Sequence, residues 1–337
     1  MKGAVCIIET NMKNELPNPL VKSIRGGEQI SLPAPMKRYP PVIMGTCVVP
    51  WTSQYHLNEP IFREEIRALA RDLTRHLYVF GTAGEGYAVN ESQFEKIARV
   101  FQEETSEAKA EGLLGIISLS LPTIIERIEK GRGWGFRAFQ ISLPSWGALT
   151  DREVETFFEE TCGRFTDCHF MHYNLNRSKR LLTGDEYGRL AEKHPNLVAS
   201  KNSSSDETFL VNLLEKAPQL QHFLTEAGYS RMRDRYECGL LISLAGIHPG
   251  RAKVFFNARA NEMSSMAAEL QGVLKALLEA VGGQAHMDGA YDKILYKMHC
   301  GSFPLRLLPP YASVDDATFE RFIESLRKEL PAWLPEG

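Results

Sequence analysis

From residue 42 onward the chain alternates short apolar runs with longer segments of mixed polarity. The runs are Val42–Val49, Leu77–Phe80, Leu113–Leu119, Arg137–Leu143, Cys168–Tyr173, Leu197–Ala199, His222–Leu224 and Leu240–Ile247. Most are too short for helices and nearly continuous in apolar character, the pattern of strands covered on both faces. The segments between them carry helical spacing. In Glu91–Glu104, residues Phe94, Ile97, Ala98 and Phe101 fall at i, i+3, i+4 and i+7, and Arg152–Cys162 and Asp206–Lys216 read the same way. Strands that alternate with helices predict a parallel sheet with helices packed on it.

Helix starts reinforce the rhythm. Asn90 with Gln93, Thr150 with Glu153, Thr183 with Glu186 and Ser204 with Glu207 each match a capping box, in which the first side chain accepts from an orphan N–H and the fourth reaches back. Eight strands suit a closed (β/α)8 barrel better than an open doubly wound sheet. An open dinucleotide-binding sheet wants GxGxxG after its first strand, whereas Gly45 is followed by Thr46-Cys47-Val48-Val49-Pro50. Beyond residue 260, Met263–Val281, Ala290–His299 and Asp316–Leu330 read as additional helices. The first forty residues, with Pro17, Pro19, Pro33, Pro35, Pro40 and the Gly26-Gly27 pair, hold no sustained period. The expected organisation is an N-terminal extension over 1–40, a barrel over 41–260 and a C-terminal helical extension over 261–337.

Composition narrows the function classes. Of 337 residues 43% are hydrophobic and 24% charged, with a formal net charge of −3, which gives no electrostatic ground for a nucleic-acid partner. No apolar run approaches a membrane span, and Ala4–Ile8 is too short for a secretory core. Six cysteines without a CxxC predict reduced thiols in a cytoplasmic protein. The nine histidines form no HExxH, and neither a P-loop nor a GxSxG elbow is present, so no metal is expected. The acidic pairs Glu103-Glu104 and Glu159-Glu160 read as solvated helix faces.

In such a barrel the chemistry sits at the C-terminal ends of the strands. Those ends offer Gly81-Thr82-Ala83-Gly84-Glu85, Pro144-Ser145-Trp146, His172-Tyr173-Asn174, Ser200-Lys201-Asn202-Ser203, Thr225-Glu226 and the stretch from Ser243 to Gly246. Lys201 allows two readings. Held at the barrel mouth, its amine loses its proton easily and condenses with a carbonyl to a Schiff base. Otherwise its head reaches water or pairs with Asp206. Tyr173 is either a proton carrier at a substrate oxygen or an aromatic cap with its hydroxyl in water. His172, one residue earlier, faces the opposite side of its strand, toward the helices. The Gly81–Gly84 turn offers backbone N–H groups to an anion and a Thr82 hydroxyl to a relay, although strand-to-helix turns need glycines for conformational reasons too.

Taken together, the ordered motifs Gly81-Thr82-Ala83-Gly84-Glu85, Tyr173-Asn174 and Lys201-Asn202-Ser203-Ser204 resemble the dihydrodipicolinate synthase/N-acetylneuraminate lyase family of Schiff-base aldolases. The resemblance runs from about Met44-Gly45 into the C-terminal helices. It implies a homotetramer built from dimers, small 2-oxo acid and aldehyde substrates, and no cofactor. It also implies roles: Lys201 forms the imine with pyruvate or a related 2-oxo acid, Tyr173 is the acid/base, Thr82 is hydrogen-bonded to it, and the Thr82-Ala83 backbone holds the carboxylate.

Departures from the family pattern bear on the second substrate. Ala83 stands where a hydroxyl residue is usual, and Trp146 where synthases bring a relay tyrosine across a dimer interface. Leu175-Asn176-Arg177-Ser178 lacks their arginine at its aligned place, leaving Arg177 or Arg180 as substitutes. Acceptor choice is assigned to the loops holding Trp146, Asn176, Arg177, Thr225, Glu226 and Ser243. The expected activity is a carbon–carbon lyase, or a sugar-acid dehydratase, acting through a Lys201 imine. The alternatives are a dihydrodipicolinate synthase with a rearranged second-substrate site and a non-catalytic barrel that binds a 2-oxo acid.

Overall fold

The computed structural model describes residues 36–242 and 248–334. Eight parallel strands close into a barrel in which each pairs with its sequence neighbours and the last pairs with the first. They are β1 (Ile43–Thr46), β2 (His76–Val79), β3 (Glu111–Ile116), β4 (Ala138–Ile141), β5 (His169–Asn174), β6 (Leu197–Asn202), β7 (Gln221–Leu224) and β8 (Gly239–Ile242). All eight apolar runs become strands. The last run was expected to extend to Ile247, and its residues from Ser243 lie outside the described ones. Between the strands stand α1 (Glu59–Asp72), α2 (Glu91–Glu107), α3 (Leu121–Gly133), α4 (Asp151–Phe158), α5 (Gly184–Lys193), α6 (Glu207–Lys216) and α7 (Glu226–Met232). After β8 come α8 (Pro249–Asn257), α9 (Ala260–Val281), α10 (Asp288–His299) and α11 (Asp316–Glu329).

Three of the four capping boxes form as expected, at Asn90, Thr150 and Thr183. The fourth does not. Asp206 caps α6 by accepting from Phe209 N, and Ser204 Oγ, two residues earlier, accepts from Asp206 N. Both residues are competent caps, and the carboxylate at the position adjoining the helix takes the role. Glu104 also departs from expectation. It is buried on α2 and accepts from Arg63 and Arg67 on α1, a clamp between neighbouring helices rather than a solvated face.

Strand alternation sorts side chains into two cores. Outward residues such as Phe139, Phe170, Leu197 and Leu240 pack against the helices, while Met44, Tyr78, Leu113, Ala138, Met171, Ala199, Phe223 and Leu241 fill the barrel. His172 faces outward as expected, with Nδ1 2.6 Å from the Tyr187 hydroxyl on α5. Residues 36–40, which the sequence places in the N-terminal extension, include a segment held against the barrel. Lys37 Nζ donates to the Pro218 and Leu220 carbonyls and Arg38 N to the Gln219 carbonyl, and Tyr39 joins the interior cluster. Among the described residues, no helix is long and apolar enough to cross a membrane.

One buried ion pair fastens the helical extension to the barrel. Glu85, at the end of the turn after β2, accepts from Lys293 Nζ on α10 at 2.5 Å and from Trp51 Nε1 at 2.7 Å. Its other oxygen accepts from Leu308 N at 2.7 Å, and both charged side chains are fully buried. Removing one partner of such a pair strands the other charge in a dry interior. Lys293→Met is therefore expected to cost about 3–5 kcal/mol in urea unfolding. The double variant Glu85→Gln/Lys293→Met is expected to recover part of that loss.

Candidate active site

Strand β6 ends in Ser200-Lys201-Asn202, and alternation there points Ser200 outward and Lys201 inward. Ser200 Oγ lies 2.7 Å from His222 Nδ1 outside the barrel, and Lys201 points into it with only 4% of its surface exposed. Its amine donates to the Tyr78 hydroxyl at 3.0 Å and lies 3.8 Å from the centre of the Tyr173 ring. Of the two positions open to Lys201, the structure has the interior one. Asp206, the alternative partner, is occupied as the cap of α6. Burial is the chief cause that lowers the Lys201 pKa to about 7; Asp292 and Asp288 oppose it, and Arg177 adds to it.

Tyr173 pairs in register with Lys201 across β5 and β6, and its hydroxyl is 3.4 Å from Thr82 Oγ1. Burial raises the Tyr173 pKa and the Thr82 contact opposes the rise. Asn174 pins the strand end: Leu182 N donates to its amide oxygen, and its amide nitrogen donates to the Leu182 carbonyl and to Asn202. Thr82 is held by a tightly folded turn. A Cβ at Gly84 would stand 2.7 Å from Phe80 N, and Phe80 and Glu85 both adopt left-handed backbone with φ of 64° and 54°.

Lys201, Tyr173, Thr82, Ala83 and Thr225 all line one cavity of about 450 Å³. The far wall comes from outside the barrel. Leu274, Leu277 and Leu278 on α9 supply apolar surface, and Asp288, Tyr291, Asp292 and Leu295 on α10 complete it. A second cavity of about 350 Å³ shares Thr82 and is lined by Tyr87, Ser118, Ser142, Ser145, Ser178 and Arg177, among others. Arg177 reaches Asp288 with two contacts of 3.3 Å, so the pair stands where the cavities adjoin.

The remaining sequence candidates lie elsewhere. Trp146 is 83% exposed and lines neither cavity, and its carbonyl accepts from Lys179 Nζ. Asn176 sits exposed in a short 3-10 turn, and Glu226 opens α7; neither lines either of these two cavities. Arg180 is tied to Asp151, Glu186 and the Leu149 carbonyl on the α4–α5 side. Ser243 lies outside the described residues. Sequence reasoning missed Tyr78, Asp288 and Asp292. A tyrosine inside an apolar strand is a faint signal. Asp288 and Asp292, with Tyr291 and Leu295, share one helix face at i, i+3, i+4 and i+7, but nothing in the sequence says which site that face meets.

A buried amine that must shed its proton destabilises the fold. The Lys201 pKa is about 7 folded against 10.5 for the free group, so the unfolded chain binds more protons between those values. The penalty is complete below pH 7 and fades as pH rises toward 10.5. Lys201→Met is expected to gain about 3–5 kcal/mol at pH 7, with the gain shrinking through that window when unfolding is followed against pH.

Comparison with known proteins follows the same lines. The model of the Dihydrodipicolinate synthetase family matches residues 40–328. A 4-hydroxy-tetrahydrodipicolinate synthase of Exiguobacterium sibiricum is 23% identical over 169 residues, half of this chain and 57% of that protein. The chain thus matches little more than half the length of that relative. Among solved structures, YagE, a prophage protein of the dihydrodipicolinic acid synthase family from E. coli K12 in complex with pyruvate, superposes with a TM-score of 0.76 at 14% identity, covering 86% of this chain and 98% of that one. CdNal from Clostridium difficile in complex with mannosamine gives 0.71 at 19% identity, covering 85% and 98%. At these identities the superpositions establish the shared barrel.

Proposed function

The chain belongs to the dihydrodipicolinate synthetase family, and from that premise we propose that it is a class I lyase whose Lys201 forms a Schiff base with pyruvate or a related 2-oxo acid. The observation that carries the reading is the Lys201 amine. It is buried, lowered to about pKa 7, and set at a cavity beside a tyrosine whose hydroxyl meets Thr82. An amine in that state is substantially unprotonated at neutral pH and nucleophilic without a separate base.

In this reading the Lys201 nitrogen attacks the ketone carbon and the carbonyl oxygen takes a proton from the Tyr173 hydroxyl, which Thr82 orients. The nitrogen then returns a proton to the Tyr173 oxygen, and Tyr173 passes it to the carbinolamine hydroxyl, which departs as water and leaves the iminium beside the Tyr173 phenolate. That cation accepts the electron pair of the neighbouring carbon–carbon bond when it breaks and becomes the neutral enamine, and in the forming direction the enamine supplies the pair and becomes the iminium again. Tyr173 returns a proton to, or takes one from, the aldol oxygen. The backbone at Thr82 and Ala83 holds the 2-oxo acid's carboxylate, and Ala83 contributes no hydroxyl to it. The family relation also supports a homotetramer built from dimers and action on small molecules in the cytoplasm.

The acceptor carbon chain extends toward α9 and α10, where apolar leucines and two aspartates form the wall. The arginine that reaches this region, Arg177, is paired with Asp288. Those surroundings favour an aldehyde without a second carboxylate, and count against the lysine-biosynthetic condensation.

Borohydride reduction in the presence of pyruvate, followed by intact mass measurement, tests the imine. One adduct per chain is expected, mapping to Lys201 and absent from Lys201→Ala. Tyr173→Phe is expected to capture pyruvate more slowly and to lose roughly 10²–10⁴-fold in aldol turnover. No adduct with any of several 2-oxo acids would leave a barrel that binds such acids without covalent chemistry. Consumption of pyruvate with aspartate semialdehyde by the wild type, and not by Lys201→Ala, would reinstate the synthase reaction.

A further inference from the structure

Two tyrosines flank the Lys201 amine, and the mechanism above employs one. The second, Tyr78, lies inside the barrel on β2, in register with Thr46 on β1. Its hydroxyl receives two hydrogen bonds, from Lys201 Nζ at 3.0 Å and from Thr46 Oγ1 at 2.9 Å. The ring is seated just as closely. A Cβ at Gly81 would stand 2.6 Å from Tyr78 Cε2, so the turn carrying Thr82 lies directly against the phenol. Burial drives the Tyr78 pKa far above its ordinary value, and the group stays a neutral phenol throughout the working range.

A neutral phenol serves both states of its neighbour. Toward an ammonium the oxygen accepts; toward a free amine the O–H turns and donates to the nitrogen lone pair. In either state the nitrogen is held at one point. A lysine side chain has four flexible bonds and about 2 kcal/mol of rotamer entropy to lose, so an untethered amine would sample positions from which it cannot reach the ketone. The Tyr173 ring, 3.8 Å from Nζ, bounds one side of the nitrogen but offers it a π-face rather than an oxygen.

We propose that Tyr78, braced by Thr46, is a positioning residue that fixes the Lys201 nitrogen for attack, while Tyr173 and Thr82 act at the substrate oxygen. The inference rests on the reading of Lys201 as the imine-forming amine. Tyr78 neither gains nor loses a proton in the net reaction; the proton leaving the nitrogen follows the Tyr173 route. The other charged groups whose fields reach Lys201 are Asp288 and Asp292 from α10 and Arg177 from the loop after β5, and His286 and Tyr291 line the same cavity. Around Tyr78 itself stand Tyr173, Asp292 and Cys47. All of them remain in a Tyr78→Phe variant.

The test is the rate of pyruvate capture by borohydride across pH 5.5–9, in wild type, Tyr78→Phe and Thr46→Val. Loss of the phenol oxygen removes an acceptor for the ammonium in a dry site, so the pH midpoint of capture is expected to fall below that of the wild type. The plateau rate at high pH is expected to drop roughly tenfold, because a free but unplaced amine reacts poorly. Thr46→Val is expected to move both quantities the same way by less, and it carries the test if Tyr78→Phe fails to fold. A lowered midpoint together with a lowered plateau is a signature that loosened packing does not produce. Unchanged midpoint and plateau in a folded Tyr78→Phe would make Tyr78 a filler of the barrel and overturn the proposal. So would a slower rate at an unshifted midpoint accompanied by a lower Tm. Absence of capture by the wild type would overturn the Lys201 reading itself, and this inference with it.

Discussion

The Glu85 carboxylate is the point on which the architecture of the site turns. A carboxylate in a buried interior is tolerated only when donors surround it, and here they come from three separate parts of the chain: Trp51 after β1, Lys293 on α10 and the Leu308 backbone beyond it. Meeting that demand fixes the turn after β2, since Glu85 closes the segment that presents Thr82 and Ala83. It also draws α10 across the barrel mouth, which places Asp288 and Asp292 in the cavity. The left-handed backbone at Phe80 and Glu85 is strain that this set of bonds holds in place.

The second organising constraint is the dryness of the Lys201 amine. Eight closed strands leave no sheet edge beside Lys201, and the cluster inside the barrel is largely apolar, with Met44, Leu113, Met171 and Phe223 in it. Burial there opposes the ammonium, and the aspartates of α10 partly restore it. The balance leaves the amine near neutrality in its titration. On the proposed reading of Lys201, stability is given up here for reactivity, as at many sites that hold a buried ionisable group.

Much of this was legible in the sequence because it follows from local rules. Strand existence came from apolar runs, and three helix starts from side chains that bond backbone within one turn. The opposite orientations of His172 and Tyr173 came from simple alternation. The failures were of two kinds. Ser204 and Asp206 compete for one cap, and local chemistry alone does not rank them. Glu104 and Trp146 depend on what lies across space: two arginines of a neighbouring helix cover the first, and no segment among the described residues covers the second. The α10 face and the contact of Tyr78 with Lys201 join residues far apart in the chain, and no spacing rule encodes such a meeting.

Because a helix outside the barrel supplies the wall opposite Lys201, the amine and the surface that faces it come from distant stretches of the chain. The strands answer to closure, register and the interior cluster, so exchanges in them disturb the whole. Asp288, Tyr291, Asp292 and Leu295 form a single stripe along α10 whose helix is anchored separately, through Lys293. On the proposed reading, exchanges of Tyr291 and Leu295 reshape that wall while Lys201 keeps its place, whereas exchanges of Asp288 or Asp292 also shift the proton balance of the amine.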